Sequence, residues 1–106
     1  MIFQNFIFLD SNSTSTTSNV LSNFNGVSLI LEVTGTVTGV TVQGGANPNT
    51  SDWGNLAVID NSSLSVITTG ITVTGTYLIP ISGLSRIRVI NSGTAGEVTV
   101  FGRVIV

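Results

Sequence analysis

The sequence predicts a single-domain, all-β sandwich, and three observations carry that expectation. Val, Ile and Thr dominate the apolar and polar sets. Their branched side chains suit a pleated surface and lose rotamer freedom in a helix. No window shows a 3.6-residue apolar period bounded by caps. Twelve glycines divide the chain into short runs, as turns and bulges do. With 106 residues the chain has the size of one domain.

The elements follow in order. Residues 2–9 form an aromatic-rich first strand containing Phe3, Phe6 and Phe8. Residues 11–19 (SNSTSTTSN) contain only Ser, Thr and Asn and read as an exposed connection. The domain is taken as residues 1–106, with residues 1–26 either a first strand and its loop or an arm that grips a neighbour. Residues 27–34 and 36–43 are expected to pair as a hairpin around Gly35. Residues 44–54 (GGANPNTSDWG) are dense in turn formers. Strands at 55–60 and 64–68 flank a turn at Asn61-Ser62-Ser63. Residues 71–81 are broken near Gly75 and end at Pro80, which cannot donate to a ladder. Strands at 86–91 and 97–106 flank the turn at 92–96. This gives about eight or nine short antiparallel strands, the spacing of a sandwich. Jelly-roll-like and Ig-like connectivities both fit.

Composition removes most catalytic schemes. There is no Cys and no His. There is no Lys either, so the cations are Arg86, Arg88 and Arg103 alone. The abundant Ser and Thr hydroxyls therefore lack a side chain that activates a nucleophile, because Arg does not act as a base. No catalytic residue, cofactor or metal is expected. Asp52 and Asp60 sit where Asp normally bonds turn backbone. A net charge of −2 argues against nucleic acid and against an anionic membrane surface as partners. No apolar run approaches the ~18 residues of a membrane helix, and residues 1–9 lack a signal peptide's basic start.

With 8% charged residues and a mean hydropathy of +0.53, part of the apolar surface is expected to be covered by a neighbouring chain. Alternation points to where. Arg86 and Arg88 share one strand face, opposite Ile87 and Val89. On the last strand Val98, Val100, Val104 and Val106 share one face. Phe101, Arg103 and Ile105 share the other, a mixture typical of interfaces. These five outward residues form the candidate interface, with intramolecular pairing of an Arg to Glu32 or Glu97 as the competing reading. Trp53 has two readings. It is a ring folded over one end of the core, or a loop contact for a partner or a sugar.

Four stretches together resemble a small β-sandwich module of tailed-phage structural proteins. They are WGNLAVID (53–60), GITVTGTY (70–77), ISGLSRIRV (81–89) and GEVTVFGR (96–103). Such modules occur in head decoration, head fibre and tail-associated proteins. The resemblance spans roughly residues 32–106 and brings no catalytic residues with it. It implies a virion structural protein, foremost an auxiliary capsid (decoration) protein on the head surface. The implied partners are further copies of itself, with a trimer as the expected order, and the phage major capsid protein or another virion protein. A tail or neck component, and a carbohydrate- or receptor-binding module using Trp53, are the alternatives.

Overall fold

The computed structural model describes residues 3–22, 24, 26–47, 49 and 51–105, with Phe3 described for its backbone only. Eleven strands fall among them: β1 (Phe3–Asn12), β2 (Thr16–Thr17), β3 (Leu21–Ser22), β4 (Ser28–Gly35), β5 (Val40–Gly45), β6 (Gly54–Asn55), β7 (Val58–Asp60), β8 (Val66–Ile67), β9 (Gly75–Pro80), β10 (Arg86–Asn91) and β11 (Val98–Ile105). The first strand's expected start at Ile2, and the inward place expected for Val106, lie outside the described residues.

Two antiparallel sheets face each other, as a β-sandwich requires. The larger has the order β1-β11-β4-β9-β7-β8, and the smaller β2-β10-β5-β6, with β3 also on β10. Strict alternation builds the core between them. Leu29, Leu31 and Val33 of β4 point inward, as do Val98, Val100 and Val104 of β11. They meet Val40, Val42, Ile87 and Val89 of the smaller sheet.

The expected hairpin at Gly35 does not form. β4 pairs with β11 and β9, whereas β5 pairs with β10 and β6 in the other sheet. Gly35 instead ends β4 at a corner between sheets. Its φ is +91°, and a Cβ there would lie 2.2 Å from the Glu97 carbonyl oxygen. That carbonyl accepts the Thr36 N–H at 2.8 Å. Residues 36–39 then cross the end of the sandwich, so the strand expected at 36–43 begins only at Val40.

Residues 11–19 are also more than a loop. β1 runs to Asn12, and β2 lies within the segment. Ser18 is buried, with its N–H on the Val89 carbonyl (2.8 Å) and its Oγ accepting the Val89 N–H (2.9 Å). A hydroxyl-rich stretch thus pairs with β10 partly through side chains, which polarity alone does not reveal. The strand expected at 55–60 is two short ones, because β6 and β7 belong to different sheets.

A register shift between Ile7 and Leu9 turns both Phe8 and Leu9 inward. Phe6 and Phe8 meet edge to face, 4.8 Å apart. Asn91 is the buried amide at the end of β10. It donates to Asn12 Oδ1 (2.8 Å) and accepts the Gly93 N–H (3.0 Å), tying the N-terminal crossing to the β10–β11 turn.

Candidate functional site

The core uses one face of each sheet, so any contact with other molecules must use the outer faces, the ends or the edges. The two outer faces differ in chemistry.

On the larger sheet the pairing places Asn5, Arg103, Ile30, Leu78, Ile59 and Val66 in one outward row across all six strands. The next row runs Ile7, Phe101, Glu32, Thr76. Ile30, Leu78, Ile59 and Phe101 are half-buried by one another, while Ile7 and Val66 remain 58% and 63% exposed. Ile30, Glu32, Phe101 and Arg103 line a shallow depression of about 250 Å³. The Arg103 Nε donates to Asn5 Oδ1 at 2.9 Å, fixing the guanidinium on its own sheet. Ile105 lies on the same face, opposite Ser28. Phe101, Arg103 and Ile105 are therefore brought together. Ile30, Leu78, Ile59, Ile7 and Val66 join them, and the sequence reading missed these five. Their outward phase needed the cross-strand register, because Ile and Leu at alternate positions look the same whichever face they take.

Arg86 and Arg88 lie elsewhere, on the outer face of the smaller sheet. β10 pairs Arg86 with Gly45 and Arg88 with Gln43, and β5 in turn pairs Gln43 with Asn55. The five expected interface residues thus divide between opposite sides of the molecule. Arg86 is buried and its guanidinium donates to the Asp52 carbonyl, holding the end of the 46–53 loop against β10. That clamp lays Trp53 across the arginines. The guanidinium carbons of Arg86 and Arg88 stand 4.2 and 4.1 Å from the ring centroid, well within cation–π range. Trp53 is half-buried. It neither caps the core nor stands clear of the surface, and a sugar stacking on it would compete with the two guanidiniums. Arg88 Nε donates to Gln43 Oε1, and Gln43 Nε2 to Asn55 Oδ1, both at 2.9 Å.

Among the described residues no group of three His, Cys, Asp or Glu side chains converges as metal ligands would. Asp60 takes the turn role expected of it. Its Oδ1 accepts the Ser62 N–H (2.9 Å) and hydroxyl (2.8 Å), and these bonds hold its carboxyl below the usual carboxylate pKa.

Solved structures share this architecture. SPBc2 prophage-derived protein YomS superposes with a TM-score of 0.87 at 17% identity, over 99% of this chain and 94% of that one. PBSX exported protein XepA superposes with a TM-score of 0.85 at 16% identity, over 97% of this chain and 37% of that one. These likenesses establish the fold. No family model matches the chain, and no curated protein matches it in sequence. The fold is thus that of a whole small protein in one neighbour and of about a third of a larger one in the other.

Proposed function

We propose that this chain is a non-catalytic structural protein of a phage virion, foremost a decoration protein that assembles as a homo-oligomer on the head. The apolar outer face of the six-stranded sheet carries the reading. Six strands at ~4.8 Å spacing, two to ten residues long, present on the order of 600 Å² of projected area. Stable interfaces bury ~800 Å² per partner, so this face with its rim is of the right size. Its Phe, Ile, Leu and Val side chains surround Arg103 on β11 and Glu32 on β4, and aromatic and Arg side chains are enriched at interfaces. Support for a phage origin comes from the fold, shared with the SPBc2 prophage-derived protein YomS. Support for a non-catalytic role comes from the missing His, Lys and Cys. A trimer is the order this reading carries, and the major capsid protein is the surface it would sit on.

The word "exported" in the name of one neighbour favours a second reading, a phage-encoded module released from the cell and acting outside the particle.

Gradient-purified particles test the two. The decoration reading expects the protein in the head fraction, in fixed ratio to the major capsid protein. Recovery only in the particle-free medium would overturn it in favour of the exported reading. Sedimentation at micromolar concentration tests assembly. The wild type is expected as an oligomer and Ile7→Lys as a folded monomer, because Ile7 is exposed beside Phe101. A monomeric wild type sinks the proposed use of this face.

A further inference from the structure

We infer that Arg88, stacked on Trp53, is a docking site for a single carboxylate, supplied by an acidic segment of a partner protein. The inference stands apart from the apolar face, which lies on the other sheet. A guanidinium offers five N–H donors in a rigid fork that fits a carboxylate with two parallel bonds. In Arg88 the Nε–H is spent on Gln43, whose own amide is fixed by Asn55. The guanidinium carbon is held over the Trp53 ring, 4.1 Å from its centroid. The two terminal amino groups of Arg88 donate to no group among the described residues. The fork is therefore immobilised at one end and open at the other, so little side-chain entropy remains to be lost on binding.

The second cation reinforces the choice of ligand. Arg86 stands 4.2 Å from the same ring centroid and adds positive potential, while its own guanidinium is engaged with the Asp52 carbonyl. One open fork with a supporting charge suits one carboxylate. It does not suit a polyanion, which needs a line of cations and is repelled by a chain of net charge −2. Trp and Arg are also enriched among the residues that dominate binding energy at protein interfaces.

Trp53 is the only tryptophan and supplies the readout. The intact protein is titrated at low salt with a tetraglutamate peptide and a tetraglutamine peptide, both acetylated at the N-terminus and amidated at the C-terminus, and with inorganic phosphate. Tetraglutamate is expected to change Trp53 emission saturably in the millimolar range, as suits one charge-assisted bidentate contact. Tetraglutamine is expected to do nothing, and Arg88→Gln to weaken tetraglutamate at least about tenfold. Arginine side-chain NMR of the wild type keeps the test independent of the variant's folding. With three arginines in the chain, the Arg88 signal is expected to move and that of Arg103 to stay. An equal response to phosphate, an unchanged affinity in Arg88→Gln, or movement of all three arginine signals together would overturn the inference.

Discussion

Tyr77 sets the terms for a polar group in this core. Its ring is 2% exposed, and its hydroxyl donates to the Val73 carbonyl four residues upstream. Tyr77→Phe keeps the ring and leaves that carbonyl short of a partner. Urea unfolding is expected to show a loss of about 1–2 kcal/mol, and an unchanged midpoint would mean the bond contributes nothing net. The same burial, helped by the Asp60 charge paired across from it, raises the Tyr77 pKa above its ordinary value of 10.0. In the unfolded chain the phenol ionises near that ordinary value, while in the native state it resists. Its contribution is therefore complete below pH 10 and is lost as pH rises through the folded pKa. Stability is expected to fall above pH 10 in the wild type and more shallowly in Tyr77→Phe, as thermal melts across that range would show. The sequence marked neither this bond nor the Trp53 stack. Both depend on which residues register and crossing bring alongside, whereas the turn role of Asp60 was legible because its partner is two residues away.

At the scale of elements, local chemistry and connectivity parted company. β10 occupies the expected residues 86–91, and the hairpin of β7 and β8 turns where Asn61-Ser62-Ser63 predicted. Six of the ten connections between successive strands pass from one sheet to the other. Short Gly-containing links signal a change of direction without saying whether the next strand pairs with the last or crosses the core. The hairpin expected at Gly35 failed for that reason. Packing between β1 and β11 is tighter than their sequences suggest. A Cβ on Gly102 would lie 2.6 Å from Phe8 Cε2 and 3.3 Å from Leu29 Cδ1, inside the core. Gly102→Ala is expected to cost about 1–3 kcal/mol by overpacking. Phe8→Leu, which also destabilises alone, should recover part of that cost in the double variant, because the two sites share one space. Additive losses in denaturant unfolding of the single and double variants would show that the ring yields freely and that Gly102 is not needed to seat it.

For the whole molecule, the sandwich separates two kinds of surface that composition presented as one list. Five outward residues on two strands looked alike in sequence, yet Phe101, Arg103 and Ile105 lie on the larger sheet, and Arg86 and Arg88 on the smaller. With three cations and five acids in the chain, long-range charge contributes little to assembly. Self-association through the larger sheet would rest on apolar burial, which salt does not screen and which sulfate strengthens. A carboxylate held at Arg88 would rest on charge at a half-exposed site, where the Debye length shrinks from ~10 Å at 0.1 M to ~3 Å at 1 M. The two faces should therefore answer salt in opposite senses. Raising sodium chloride from about 0.05 M to about 0.5 M is expected to leave the assembled fraction level or higher by sedimentation, and sodium sulfate to raise it further. The same change should weaken the Arg88 contact severalfold. Assembly that dissolves with salt would mean that charged edges, not the Ile30–Leu78–Ile59–Val66 row, hold the copies together.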